Sequence, residues 1–544
     1  MSIGNRFLGF LMKPITRGAI LALLVLLAVL IAGFKNPLQE VHWDVPIYLY
    51  QSKRFADTHY LLNYMQHAAQ IAAQVGGRLP PGEWYSESFW HFARLGNTVI
   101  LGAATTIFGS TLGAITASTW AYNVFLVAAL GCCIAIVILL GEILDPGKPW
   151  FGASAISVVL FLLSDVFHYL AGNLVGEVPC LFFLSTSIVA ALVSLEKKRN
   201  SLAVLSGVLA FLSYTVRFDS IWLWLSFFVV YVLQHPSRQY RLIPWTQLLF
   251  ALITAFILFL AYAAIFWPLV DPAYFVKFAV GLGRNSPGGV PAYKLLFVAS
   301  GLLWIGALLS LRWFRQSRLI RFGGWWFLVG GMPWLLEIIL GGPSQTRMFA
   351  LFVPPMFILS AGGWALALQR APPKLKHTLI GITVSIVALS QPIIYGRLHR
   401  LPGGWRLQYP AAFLYVPRYE SLSYWPNEIK ALSEVVYGSH QPTILIESAD
   451  VSQEYFDLLR FFGPTYGKHA DLAMVGDPTN RKPCDDASPS STEPVYFCSG
   501  RVDRKLANVT KARFRILEFL KRTDRVIAGA TPVAQTKHFL IDRI

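Results

Sequence analysis

The chain has 544 residues, of which 55% are hydrophobic and only 14% are charged. Soluble proteins average roughly 25% charged residues, so this composition excludes a soluble globular protein. Many apolar runs near membrane-spanning length predict an all-α polytopic membrane protein instead. The net charge of +17 does not indicate nucleic-acid binding, because Lys and Arg gather in the cytoplasmic loops of membrane proteins.

Hydropathy predicts about eleven membrane-spanning helices. The first covers residues 20–34 and follows a basic N-terminus, as in an uncleaved membrane anchor. An extra half-span or an interfacial helix is predicted at residues 91–109. The remaining predicted spans are residues 121–140, 153–170, 178–195, 202–216, 221–233, 248–266, 295–311, 325–340, 348–368 and 379–395.

Basic residues in alternate loops predict the orientation. With a cytoplasmic N-terminus, the clusters within 197–199, 238–241, 312–321 and 370–376 all become cytoplasmic. An odd number of spans then makes the C-terminal region extracytoplasmic. Short loops and a single glycosylation pattern at Asn508 favour a bacterial inner membrane over the endoplasmic reticulum.

The same orientation gathers unusual polar residues at the extracytoplasmic ends of the spans. Carboxylates and cations at membrane depth are costly and usually face a wet cavity or one another. We therefore expect a polar chamber on the outer leaflet side. Its members are Glu40, Asp44, Asp165, His168, Asn173, Glu177, Arg217, Asp219, Asp271, Lys277, Arg284, Lys294 and Arg347.

The first outer loop, residues 35–92, opens with KNPLQEVHWDVPIYLYQSKR. Asp44 lies just beyond the first span and is followed by an amphipathic run, residues 45–65, that is too polar to cross the bilayer. One interpretation is a functional carboxylate held at the membrane surface. The alternative is that Asp44 only caps the next helix, with Pro46 near its first turn.

A second outer loop, residues 267–292, combines a short aromatic helix with a Gly- and Pro-rich stretch. It is either an ordinary connector with turn residues or a mobile flap. In the second case Lys277 and Arg284 would meet an anionic group.

The composition changes after Tyr395, which predicts a transmembrane domain over residues 1–396 and a small exported α/β domain over 397–544. Strands are expected at 443–448 and 494–500, and helices at 451–462 and 509–522. Cys484 and Cys498 can pair if this domain lies in an oxidising compartment.

An acidic residue just after the first span, followed by an aromatic-rich amphipathic run, resembles the GT-C membrane glycosyltransferases. The nearest branch contains the protein O-mannosyltransferases and the lipid A aminoarabinose transferase. The stretches GNLVGEVPCLFF, YTVRFDSIWLW and TRMFALFVPPMFIL are also similar in character, and the resemblance covers roughly residues 15–400. The family commonly reads Asp-Glu and then Tyr, whereas here Val45 follows Asp44. The His-Pro-Pro-like stretch of many relatives is present only loosely.

The resemblance implies transfer of a sugar from a polyprenyl-phosphate donor to a hydroxyl of a lipid, glycan or protein acceptor. Asp44 is then the general base, with Glu177 orienting the acceptor or sharing a metal. Metal use stays open, with Asp44 and Glu177 as ligands if a divalent ion binds. Direct displacement implies inversion at the anomeric carbon.

The remaining site residues fall into two groups. Cations are expected to stabilise the leaving lipid phosphate, and the candidates are Lys277, Arg284, Lys294 and Arg347. Supporting polar roles are expected for Glu40, Tyr48, His168, Arg217 and Asp219.

Three other functions are compatible with the amino-acid sequence. A transporter would place ionisable residues near the bilayer midplane and often show two related halves, whereas here they lie at span ends on one side. A glycan ligase or polymerase acting on a polyprenyl diphosphate shares the membrane setting. A structural subunit without activity is the third.

Overall fold

The computed structural model describes residues 41–42, 45–57, 95–162, 167, 170–171, 173–217, 219–234, 245–266, 303–339, 351–370, 372, 423–424, 426–438, 458–459, 461–463, 514–518, 531–535 and 539–543. The chain forms two compact units. The first comprises Met1–Lys35 and Trp120–Tyr419, and the second comprises Asn36–Thr119 and Glu420–Ile544. The domain boundary expected after residue 396 stays a prediction.

The described elements are numbered in chain order. They are β1 (Val41–His42), α1 (Val45–Asp57), α2 (Leu95–Phe108), α3 (Leu112–Leu144), α4 (Trp150–Leu162), α5 (Glu177–Lys197), α6 (Asn200–Val216), α7 (Ser220–Gln234), α8 (Trp245–Phe266), α9 (Leu303–Leu311), α10 (Arg318–Ile339), α11 (Val353–Arg370), β2 (Ser423–Tyr424), α12 (Pro426–Gly438), β3 (Phe514–Glu518), β4 (Thr531–Gln535) and β5 (Phe539–Arg543).

Helices occupy every apolar run predicted between residues 121 and 368. Within the described part of the chain, three are long and apolar enough to cross a membrane, namely Leu112–Leu144, Glu177–Lys197 and Trp245–Ala264. The protein is therefore a helical integral membrane protein. The runs at 20–34 and 379–395 lie outside the described residues, so the total of about eleven spans stays a prediction.

Close helix packing in the first unit depends on small residues. A Cβ added to Gly363 of α11 would collide with the carbonyl oxygen of Gly306 in α9. One added to Gly207 of α6 would lie 2.5 Å from the carbonyl oxygen of Ala251 in α8. Lipid supplies little hydrophobic force between helices, so close backbone approach through small residues is what joins them.

The junction between α7 and α10 contains a hydrogen bond that follows from a proline. Pro333 lies inside α10 and has no backbone N–H, so the carbonyl of Val329, four residues earlier, loses its helical donor. The indole Nε1 of Trp222 donates to that carbonyl over 2.9 Å. An unpaired carbonyl in lipid would have no water to bond, so Trp222 stabilises α10 where its own ladder is interrupted.

Replacing Trp222 by phenylalanine is expected to lower the free energy of unfolding by about 1 kcal/mol, because membrane hydrogen bonds contribute on that order. Pro333→Ala restores a backbone N–H that can donate to the Val329 carbonyl. The loss of unfolding free energy caused by Trp222→Phe should therefore be smaller in that background. The unfolding temperature in detergent is measured for the wild type, Trp222→Phe, Pro333→Ala and the double variant. Trp325→Phe is the control, since this α10 indole is similarly exposed, at 45% against 41%. Equal Trp222→Phe costs in both backgrounds would contradict the assignment.

A cap holds the start of α10 against the end of α3. Ser317 Oγ accepts a hydrogen bond from the Ile320 N–H at 3.2 Å, which is the usual role of a serine before a helix. Ser317 donates in turn to Asp145 at 2.5 Å, and the Leu319 N–H donates to the same carboxylate oxygen at 3.1 Å. The Lys148 ammonium lies 3.4 Å from that oxygen of Asp145 and balances its charge.

In the second unit, α1 begins at Val45, where the amphipathic run was predicted to begin. A polar seam joins α1 to α2: the Ser52 and Thr105 hydroxyls are 2.9 Å apart, and Thr98 donates to Gln51 at 3.4 Å. Lys53 is buried and forms an ion pair with Asp57 at 3.2 Å. The polar residues of the run are therefore used in packing.

The C-terminal part of the second unit contains a three-stranded antiparallel sheet with the order β3-β5-β4. The helix predicted at 509–522 is wrong, because Phe514–Glu518 is a strand paired with Phe539–Arg543. Helical spacing of apolar residues over that run was a local signal, and pairing with the end of the chain overrides it. Residues 458–459 and 461–462 are helical within the predicted 451–462 helix. The strands predicted at 443–448 and 494–500, and Cys484 with Cys498, lie outside the described residues.

Candidate functional site

The structure describes four of the predicted site residues. Glu177, Arg217 and Asp219 belong to the first unit, and Tyr48 belongs to the second. The others lie outside the described residues and stay predictions: Glu40, Asp44, His168, Lys277, Arg284, Lys294 and Arg347.

Glu177 is the first residue of α5, and its side chain is 1% exposed. A carboxylate in the first helical turn interacts favourably with the positive end of the helix dipole. Pro179 follows within this turn, where a missing backbone N–H costs little. The sequence GEVP therefore explains both where α5 begins and why a buried carboxylate is tolerated there.

Arg217 lies in the turn between α6 and α7, with an extended backbone (φ −146°, ψ 114°). Its N–H donates to the Ser213 carbonyl at 2.9 Å, and its own carbonyl accepts from the Ser220 N–H at 3.1 Å. Both backbone groups are therefore used to close the turn, which fixes the Cα–Cβ direction of the arginine.

The Arg217 guanidinium joins two carboxylates. Its Nε and Nη2 donate to the two oxygens of Asp219 at 3.1 and 2.7 Å, a bidentate pair. Its Nη1 donates to Oε1 of Glu177. The cluster of Glu177, Arg217 and Asp219, called here the carboxylate clamp, thus connects the start of α5 to the α6–α7 turn.

Glu177 and Arg217 of the carboxylate clamp are buried and Asp219 is half-buried, with side-chain exposures of 1%, 4% and 16%. Burial disfavours the charged guanidinium, but the carboxylates of Asp219 and Glu177 outweigh it and hold the pKa of Arg217 well above its usual value. Arg217 is therefore a permanent cation. It can orient Glu177 but cannot transfer a proton.

Hydroxyl and thiol contacts join α5 to α6, the two helices that lead to the clamp. Ser213 donates to the carbonyl of Cys180 at 3.3 Å, and the Cys180 sulfur lies 3.3 Å from the Ser213 hydroxyl. Further along the same pair of helices, Ser187 donates to the carbonyl of Ser206 at 2.7 Å. Sequence reasoning did not single out these serines, because a serine in an apolar run gives no signal of its partner.

Tyr48 is buried on α1, and Lys53 of the same helix is a buried cation that sequence reasoning missed. Lys53 donates to the Ser110 hydroxyl at 3.3 Å as well as pairing with Asp57. Its four-residue spacing from Asp57 was the one signal that would have predicted the ion pair.

Metal use stays open. Among them, no group of three or more His, Cys, Asp and Glu is arranged to hold an ion. Glu177, one of the two ligands named for a metal, instead accepts from Arg217, which supplies the positive charge a metal would bring. The other, Asp44, lies outside the described part of the chain.

Comparison with known proteins identifies the fold. No protein-family model and no curated protein sequence matches the chain. Among solved structures, the chain is similar to ArnT from Cupriavidus metallidurans bound to undecaprenyl phosphate, with a TM-score of 0.56 and 12% identity. That match covers 96% of this chain and 97% of ArnT.

A second similar structure is the archaeal oligosaccharyltransferase AglB from Archaeoglobus fulgidus, in complex with an inhibitory peptide and a dolichol-phosphate. Its TM-score is 0.46 at 12% identity, and the match covers 82% of this chain and 63% of AglB. The fold assignment depends on ArnT alone. The chain therefore shares the fold of ArnT along nearly its whole length, as the resemblance implied.

Proposed function

We propose that this protein transfers a sugar from a polyprenyl-phosphate donor to an acceptor hydroxyl at the extracytoplasmic face of the membrane. The observation that carries the proposal is the shared fold along nearly the whole chain with ArnT, whose crystal structure contains undecaprenyl phosphate. The ordered motifs around Asp44, Glu177 and Arg217 support it independently.

In the proposed reaction, the acceptor oxygen attacks the anomeric carbon and the bond from that carbon to the donor phosphate breaks. The Asp44 carboxylate takes the hydroxyl proton, and the lipid phosphate leaves with the bonding electrons. Lys277, Arg284, Lys294 and Arg347 are the cations proposed to stabilise its charge. One displacement gives inversion at the anomeric carbon.

Glu177 is proposed to orient the acceptor, with Arg217 and Asp219 holding its carboxylate. The geometry favours orientation over proton transfer for this residue, because one of its oxygens accepts from a permanent cation. Glu40, Tyr48 and His168 keep their supporting roles as proposals. If a divalent metal binds, Asp44 and Glu177 are the ligands proposed to hold it, and it would supply further positive charge to the leaving phosphate.

Binding of the lipid phosphate can be tested before any sugar or acceptor is known. Undecaprenyl phosphate is expected to raise the thermal unfolding temperature of the full chain in detergent. A ligand at 100 times its Kd stabilises by about 2.7 kcal/mol. Undecaprenol, which lacks the phosphate, is the matched control and should give a much smaller shift.

Three results would count against the proposal. Equal shifts with undecaprenol and undecaprenyl phosphate would show that only the lipid tail is recognised. A larger shift with undecaprenyl diphosphate would favour a diphosphate-dependent ligase. Accumulation of a solute in proteoliposomes without lipid donor would favour a transporter.

A further inference from the structure

The C-terminal region pairs with the segment that leads to Asp44. β1 and β2 form an antiparallel ladder in which Val41 is opposite Tyr424 and His42 is opposite Ser423. The two strands are far apart in sequence but belong to one compact unit, which joins Asn36–Thr119 to Glu420–Ile544. The ladder is therefore a contact between the first outer loop and the C-terminal region.

The segment between this ladder and α1 is very short. β1 ends at His42 and α1 begins at Val45, so only residues 43 and 44 connect them. A chain advances at most about 3.6 Å per residue, so the end of β1 and the start of α1 must lie close together. Val45 is fully buried, and α1 is fixed to α2 through the Ser52–Thr105 contact of 2.9 Å.

The strand on the C-terminal side is also held. α12 begins at Pro426, two residues after the end of β2, and buries Ile429 and Ser433. Ser433 donates to the carbonyl of Leu459 at 3.5 Å, and Leu459 is itself buried. β2 is thus joined to a packed helix, which limits how far this strand can move away from β1.

We propose that the strand Ser423–Tyr424 is a positioning element for the reaction: its ladder with Val41–His42 places the backbone that enters Asp44. This inference rests on the proposed function. A displacement near 1 Å at a reacting group can cost about 100-fold in rate, so a small ladder can matter greatly. Each backbone hydrogen bond contributes only about 0.5–1.5 kcal/mol to stability, so losing the ladder should slow the reaction more than it destabilises the protein.

The pairing itself is tested by a cross-link that needs no activity. Opposite residues of an antiparallel ladder have Cα atoms about 4.5–5.5 Å apart, within the range for disulfides. The His42→Cys/Ser423→Cys variant should therefore form a disulfide, identified by peptide mass spectrometry so that Cys484 and Cys498 are distinguished. Val41→Cys/Ser423→Cys is the matched control, since neighbouring residues of a strand point to opposite faces.

The positioning role is tested by breaking the ladder and then restoring it. Ser423→Pro/Tyr424→Pro removes both N–H groups of β2 and is expected to lower kcat at least tenfold, with little change in the donor KM or the unfolding temperature. Tyr424→Pro alone should lower kcat by less. In the Tyr424→Pro background, oxidation of the His42→Cys/Ser423→Cys pair should recover the lost kcat, and reductant should abolish the recovery.

The outcomes distinguish three claims: that the strands pair, that the pairing positions the reacting group, and that the protein is a sugar transferase. Absence of the designed disulfide would overturn the pairing. A disulfide that forms while the double proline variant keeps full kcat would overturn the positioning role and leave the proposed function intact. A wild-type chain that transfers no sugar from any lipid donor would overturn the proposed function and the positioning role together, while the cross-link still reports on the ladder.

Discussion

Replacing Asp44 by asparagine is expected to abolish sugar transfer while the protein stays folded. Asparagine has nearly the same shape but cannot accept the proton of the attacking hydroxyl. A positioned general base contributes about 10²–10⁴-fold to the rate, so residual kcat should fall by at least that factor. The donor KM should change little, because the substitution leaves the donor phosphate and its cations untouched.

The measurement is release of polyprenyl phosphate and formation of product, followed by mass spectrometry, with the purified chain in nanodiscs. Glu434→Gln is the matched control, since it neutralises an exposed carboxylate of the same compact unit, 66% exposed and paired with Lys430. It should keep wild-type kcat. An Asp44→Asn protein with normal turnover would refute the assignment of the base and return Asp44 to a capping role.

Arg217→Met is expected to cost about 3–5 kcal/mol of unfolding free energy, the largest stability effect predicted for this protein. The reason is that a buried ion pair is most destabilising when one partner is removed and the other charge stays buried. Glu177 is 1% exposed in the structure, so its carboxylate would lose its cation in a low-dielectric setting. Glu177→Gln/Arg217→Met removes the two buried charges of the clamp and should recover part of the loss. The remainder is the cost of leaving Asp219, which is 16% exposed, without its arginine.

Thermal unfolding in detergent of the wild type, Glu177→Gln, Arg217→Met and the double variant gives the coupling energy between the two positions. The control is Lys430→Met, which breaks an exposed pair at 42% and 66% side-chain exposure; such pairs contribute about 0–1 kcal/mol. If Arg217→Met and Lys430→Met cost the same, the carboxylate clamp would have no special role in holding α5 to the α6–α7 turn.

The two predictions test different parts of the site. Asp44→Asn leaves stability unchanged and removes chemistry, whereas Arg217→Met first affects how α5 is held. Because Arg217 bonds Glu177 directly, partly folded Arg217 variants should also lose activity. The Glu177→Gln/Arg217→Met double variant separates these effects, since it restores stability without restoring an orienting carboxylate.

Sequence alone was sufficient for the class of protein and for most helix positions. The apolar runs between 121 and 368 each contain a helix, and the start of the amphipathic run at Val45 was placed correctly. These features depend on the transfer of local segments from water to lipid, which hydropathy measures directly. The prediction of a helix at 509–522 was wrong because Phe514–Glu518 forms a strand by pairing with Phe539–Arg543, which lie outside that local segment.

Only the tertiary structure decided which polar residues meet. Sequence placed Glu177 and Arg217 on the same face, but their ion pair spans 40 residues, and no local pattern pairs one with the other. The same holds for Trp222 with Val329, 107 residues apart, and for His42 with Ser423 across the length of the chain. Hydrophobic burial depends on each segment by itself, whereas a hydrogen bond or ion pair depends on two partners that only packing brings together.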